Sequence, residues 1–193
     1  MNICVFGASS DRIDPAYFDA AQELGALIAR GGHRLVYGGG REGLMGACAR
    51  GVLLEGGRPL GVAPYFFDEP GILMKEECDF VFTDTMSQRK ARMEAEADAF
   101  IALPGGIGTY EEFFEALTLK QLGRHRKPMA LLNTLGYYDG FDTLLRETAM
   151  RGFMSDSVLG LYTLCASPAE AMRHVTAPVS SEKTAPSLSA YSR

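Results

Sequence analysis

Two stretches of this chain combine residue types and spacings suited to chemistry on a phosphorylated ligand. The first is Pro104-Gly105-Gly106-Ile107-Gly108-Thr109-Tyr110-Glu111-Glu112, which follows the apolar run Ala99–Leu103 and opens a helical pattern. Glycines let backbone N–H groups approach an anion, and the start of a helix favours negative charge. On this spacing Thr109 is expected to cap the helix, and Glu112 to lie in its first turn, where the helix dipole helps keep it ionised. A carboxylate beside a phosphate does nothing to hold it. It fits a ligand whose remainder needs a base or a counter-charge. The second stretch is Ser87-Gln88-Arg89-Lys90, which starts a helix just before that strand. A cation in a first turn opposes the dipole, so Arg89 is expected to serve a ligand, whereas Glu94 and Glu96 read as a solvated face.

Two further glycine stretches follow strand-like runs: Gly7-Ala8-Ser9-Ser10 and Gly38-Gly39-Gly40-Arg41-Glu42-Gly43. The second matches the dinucleotide fingerprint G-x-G-x-x-G, which keeps a nicotinamide-dependent oxidoreductase among the alternatives. It follows the second strand of the chain, however, and no acidic residue about 20 positions on ends a strand to hold a ribose hydroxyl. No glycine run ends in Gly-Lys-Ser or Gly-Lys-Thr, so a P-loop is excluded. His33, His125 and His174 form no triad or metal pattern, and Cys4, Cys48, Cys78 and Cys165 show no C-x-x-C pairing. The four thiols read as buried and reduced, and no metal site is expected.

The elements that must position these residues alternate along the chain. Strands are expected at Asn2–Phe6, Arg34–Tyr37, Leu60–Ala63, Phe80–Thr83 (the weakest), Ala99–Leu103, Pro128–Leu132 and Leu161–Cys165. Helices are expected at Pro15–Arg30, Leu44–Leu54, Met86–Ala97, Thr109–Leu122, about Tyr138–Arg151 and Ala169–His174. Wholly apolar strands alternating with helices predict a parallel sheet covered on both faces. The expected fold is α/β: a single Rossmann-like, doubly wound domain over residues 1–176, with helices on both faces. In such a sheet the loops after the strands emerge at one edge, where ligands bind, so all four stretches converge. Residues 177–193, rich in Ser, Ala, Pro and Thr, read as a disordered tail. With 47% hydrophobic and 22% charged residues the chain is ordinary globular material, and its net charge of −5 argues against a general nucleic-acid surface. No signal peptide and no run of about 20 apolar residues is evident, so a cytoplasmic protein without membrane contact is expected.

Ser87-Gln88-Arg89-Lys90-Ala91-Arg92-Met93, followed by Pro104-Gly105-Gly106-x-Gly108-Thr109-x-x-Glu112, resembles the Lonely guy family of cytokinin riboside 5′-monophosphate phosphoribohydrolases, long labelled lysine decarboxylase-like. The resemblance extends from about Asn2 to Met154. It takes in Tyr37-Gly38-Gly39-Gly40, Gly43-Leu44-Met45-Gly46, Gln121-Leu122-Gly123, Lys127-Pro128 and Gly136-Tyr137-Tyr138. It implies hydrolysis of the N-glycosidic bond of an adenine-type nucleoside 5′-monophosphate by a homodimer, without metal or other cofactor. The implied substrate is AMP or a cytokinin riboside monophosphate, and the implied products are free base and ribose 5-phosphate. Carried onto this chain, the catalytic residues are Arg89 and Glu112, with Gly105, Gly106, Gly108 and Thr109 on the phosphate. Gly7, Ser9, Gly39, Gly40, Met86 and Lys90 are expected to complete the substrate site. The chain departs from the family at Ser87, where many members have histidine, and over Tyr65–Cys78, with its acidic Asp68-Glu69 and Glu76-Glu77. Nothing marks a pyridoxal-phosphate lysine. A non-catalytic carrier of a nucleotide or phosphorylated cofactor on the same fold is the alternative reading.

Overall fold

The computed structural model describes residues 1–178; the remainder of the expected tail, 179–193, lies outside the described residues. Among the described residues there are seven strands: β1 (Asn2–Phe6), β2 (Arg34–Tyr37), β3 (Leu60–Pro64), β4 (Asp79–Thr83), β5 (Ala99–Ala102), β6 (Met129–Leu132) and β7 (Thr163–Cys165). They pair in parallel throughout, in the order β4-β3-β2-β1-β5-β6-β7. The helices are α1 (Pro15–Arg30), α2 (Gly43–Leu54), α3 (Met86–Glu96), α4 (Ile107–Gln121), α5 (Asp139–Met150) and α6 (Pro168–Thr176).

Alternation along each strand divides the core. Ile3, Val5, Leu35, Tyr37, Ile101 and Leu103 pack with side chains of α1, α2 and α6. Cys4, Phe6, Val36, Phe100 and Ala102 pack with Met93 of α3, Phe113 and Leu117 of α4, and Leu145 of α5. Phe100 and Ile101 are almost wholly buried on opposite faces, each burial stabilising the fold by about 1.5–3 kcal/mol. Only β4 is half-buried along its length, which explains its weak signal in the sequence. Asp79 at its start binds Arg34 and Arg58, and charge on an edge strand discourages pairing with another chain. No helix among the described residues is long and apolar enough to cross a membrane.

The strand order reverses between β1 and β5, and the loops after these two strands lie side by side. The Ala8 N–H donates to Pro104 O at 3.0 Å, while Leu44 N–H donates to Ala8 O at 2.9 Å. This is the switch point at which doubly wound sheets hold ligands.

Candidate active site

The loop after β5 presents its backbone to the open edge. Gly106 is the extended N-cap of α4, with φ −88° and ψ −155°, so the helix starts at Ile107, two residues before the expected Thr109. Thr109 is therefore not the cap. It is the third helical residue, buried, with its hydroxyl where a Cβ on Gly105 would otherwise stand. A side chain on Gly105 would also come within 2.9 Å of Ala8 N, so glycine is required by close approach. Gly106 and Gly108 are exposed, with nothing within 4 Å of an added Cβ. Among the described residues, none accepts a hydrogen bond from the N–H groups of Gly105 through Thr109. Five unpartnered donors at the start of a helix have the chemistry that suits an anion.

Arg89 and Glu112 meet beside this loop, Arg89 Nη1 donating to Glu112 Oε1 at 2.7 Å. The guanidinium is 5% exposed and its Nε donates to Val62 O of β3 at 3.1 Å. A Cβ on Gly38 would fall under 3.0 Å from Arg89 Nη2, so the glycine after β2 is the space through which the guanidinium passes. The α3 helix that carries Arg89 begins in a capping box. Thr85 Oγ1 accepts from Gln88 N–H at 3.1 Å, and Gln88 Oε1 accepts from Thr85 N–H at 3.3 Å. The Thr-x-x-Gln spacing announces this cap, and it is the signal that fixes where α3 starts.

Glu112 is the sixth residue of α4 and lies in its second turn, not the first, where the dipole has faded. Burial pushes its carboxyl above the ordinary range, and Arg89 pulls only part of the way back. The expectation that the start of a helix would hold it ionised is thus corrected, because its side chain is 11% exposed and desolvation outweighs the dipole. A small crevice between α3 and α4 reaches it, lined by Phe6, Met93, Phe100, Ala116 and the charged Lys90 and Glu115 among others. The neighbouring Glu111 turns outward, 51% exposed, and binds Lys90.

The other expected site residues divide. Gly7 packs tightly against Leu103, and Ser9 is exposed within the loop after β1. Lys90 is engaged by Glu111 and, at 2.8 Å, by Glu115. Met86 is exposed at the first position of α3. Gly39 is buried, its carbonyl accepting from Met74 N–H at 3.1 Å and its Cβ position taken by Phe80, while Gly40 bridges Leu73. Of the fingerprint glycines, Gly38 lies against Arg89, Gly40 bridges Leu73 and Gly43 lies against Ala8 and Ser9. Sequence reasoning missed the tyrosines after β6: the Tyr137 hydroxyl donates to Gly105 O and the Tyr138 hydroxyl to Leu103 O, both at 2.6 Å. No local spacing signals contacts across more than 30 residues. His125 is structural: buried, bonded to Ala116 O at 2.9 Å and lowered by burial to about 4. Among the described residues, no group of three or more His, Cys, Asp or Glu could hold a metal ion.

Residues 45–175 match the family model described as possible lysine decarboxylase. The cytokinin riboside 5′-monophosphate phosphoribohydrolase LOG2 of Arabidopsis thaliana is 43% identical over 155 residues, 80% of this chain and 73% of the relative. The chain belongs to the Lonely guy family. Its Lonely guy relatives include a bacterial one, the cytokinin riboside 5′-monophosphate phosphoribohydrolase of Rhodococcoides fascians, 40% identical over 85% of this chain and 83% of that protein. The Lonely guy chain also resembles the molybdenum cofactor carrier protein of Chlamydomonas reinhardtii. Their TM-score is 0.68 at 26% identity, over 89% of this chain and 92% of the carrier.

Proposed function

We propose that this chain hydrolyses the N-glycosidic bond of adenine-type nucleoside 5′-monophosphates, the activity named for its relatives. The observation that carries the reading is the buried Arg89–Glu112 pair beside five free N–H donors. The 5′-phosphate sits on the Gly105–Thr109 loop, so binding far from the scissile bond fixes the ribose. Water adds across the C1′–N9 bond: its hydroxyl goes to C1′, its proton ends on the base, and free base and ribose 5-phosphate leave. Positive charge grows on the ribose as the bond lengthens. Ionised Glu112 stabilises it, and its second oxygen, which Arg89 does not engage, orients or deprotonates the water. As a guanidinium, Arg89 is a poor general acid. Its charge steadies electron density on the departing purine, and it draws the Glu112 carboxyl part of the way back toward its ionised form.

Two further assignments are proposed with it. One is a homodimer, which light scattering of a monomer would remove. The other is a cytoplasmic location, supported by four buried, unpaired thiols. The deciding experiment incubates purified protein with AMP and with isopentenyladenosine monophosphate and follows free base by chromatography. The ratio of the two rates gives the base preference. Glu112→Gln, which keeps shape and loses charge, should lower turnover by about 10²–10⁴-fold with binding retained, while Glu111→Gln stays active. Loss in Glu111→Gln alone reverses the assignment. Tight binding without base release favours the carrier reading, which the fold likeness to the carrier protein keeps in play.

A further inference from the structure

Three successive carbonyls of the loop after β5 are tied back. Leu103 O accepts from the Tyr138 hydroxyl at 2.6 Å, Pro104 O from Ala8 N–H at 3.0 Å, and Gly105 O from the Tyr137 hydroxyl at 2.6 Å. In a planar trans peptide the C=O and the following N–H point in opposite directions. Holding the Gly105 carbonyl therefore aims the Gly106 N–H away from Tyr137, on a residue that is exposed with open space around it. We infer that Tyr137 is a positioning residue whose hydroxyl sets the direction of the Gly106 N–H toward the substrate's phosphate. The inference rests on the proposed use of this loop as the phosphate site.

The surroundings of Tyr137 leave its hydroxyl one task. The Tyr110 hydroxyl donates to it at 3.2 Å, so its own proton goes to Gly105 O. Burial pushes its pKa up to about 12, so it remains a donor at any ordinary assay pH. Its ring is wedged edge-on against Tyr17 at 6.0 Å and Tyr138 at 5.1 Å. The segment that carries it is cross-bonded. Asn133 Oδ1 accepts from Tyr138 N–H and Asn133 Nδ2 donates to Asp139 Oδ1, both at 2.7 Å. Leu135 within it has φ +54°, a left-handed conformation that a non-glycine residue keeps only where its surroundings over-determine it. Tyr138 makes an equally short bond, but the peptide it holds leads to Pro104, which has no N–H to aim.

That asymmetry supplies the test. Wild type, Tyr137→Phe and Tyr138→Phe are titrated with inorganic phosphate by calorimetry, melted, and assayed with AMP. Tyr137→Phe should weaken phosphate by about tenfold and raise KM for AMP similarly, with kcat within about twofold, as expected of one misdirected donor. Tyr138→Phe should lower the melting temperature at least as much and leave phosphate affinity unchanged. Equal weakening in both variants, unchanged phosphate affinity in Tyr137→Phe, or a wild type that does not bind phosphate overturns the inference. A wild type that binds phosphate and is sensitive to Tyr137→Phe, yet releases no base from AMP, overturns the proposed hydrolase and upholds the positioning role.

Discussion

Gly38→Ala tests whether Arg89 is confined where the reaction needs it. A Cβ at this buried position would lie under 3.0 Å from Arg89 Nη2, and 3.4 Å from both Cζ and the Met45 sulfur. To regain ordinary contact the guanidinium must retreat by on the order of 1 Å. It has nowhere to go without loss, because Nε is held by Val62 O at 3.1 Å and Nη1 by Glu112 at 2.7 Å. A retreat of that size carries the shorter bond beyond hydrogen-bonding range, forfeiting about 1.5–3 kcal/mol for a bond between charged groups. A misplacement of this order lowers turnover by about 10²-fold. The Gly105–Thr109 loop is untouched, so KM should change far less than kcat. The assay is chromatographic release of adenine from AMP, with a thermal melt expected to fall by about 2–4 °C for each kcal/mol lost. Gly140→Ala is the control. It lies in α5 with nothing within 4 Å of an added Cβ, and should keep full activity and gain about 0.5 kcal/mol. A Gly38→Ala protein with kcat within twofold of wild type and an unchanged melt would refute the confinement.

Two further outcomes follow from the geometry. Burial raises the Glu112 pKa above that of the unfolded chain, so the fold binds this proton more tightly. Its contribution to stability is present below the unfolded pKa and is lost as pH rises through the folded one. Since the carboxylate is the working form, kcat should rise with pH along a limb above the ordinary carboxylate range; a pH–kcat profile with its acidic limb at or below that range contradicts the assignment. Thr85→Ala removes the cap on the helix that carries Arg89. It should cost about 1 kcal/mol, read as a drop of about 2–4 °C in melting temperature; an unchanged melt would mean the cap does not hold α3 in place.

The elements were legible where burial is complete. Ala99–Leu103 reads as a strand because it is apolar throughout and runs into Pro-Gly-Gly, and both faces of β5 are covered. The start of α4 was misjudged because a threonine is a strong cap signal, whereas an extended glycine at 106 can begin the helix earlier. Arg89 was recognisable as out of place, since a cation at the start of a helix opposes the dipole, and the buried pair with Glu112 is the reason. The charge state of Glu112 could not be read from its position. It depends on desolvation by side chains from β1, β5 and α3 that the chain brings together only on folding. Tyr137 was invisible for the same cause: it reaches Gly105 because β6 is the neighbour of β5.

The Arg89–Glu112 pair links the two halves of the sheet. Arg89 enters from the helix after the edge strand β4, and Glu112 from the helix after the central strand β5. They meet over the face of the sheet that packs against α3 and α4. A buried ion pair is a poor stabiliser, because removing two charges from water costs about as much as their attraction returns. The local structure nevertheless gives it a cut-out at Gly38, a carbonyl at Val62 and a capped helix at Thr85. Elements that hold an energetically neutral pair so closely are better explained by the reaction than by the fold. Arg89 draws the buried Glu112 carboxyl part of the way back toward its ionised form, and Glu112 gives the buried Arg89 a compensating charge. Under the proposed function each residue makes the other usable, and the free N–H donors of Gly105–Thr109 would hold the phosphate of the same ligand.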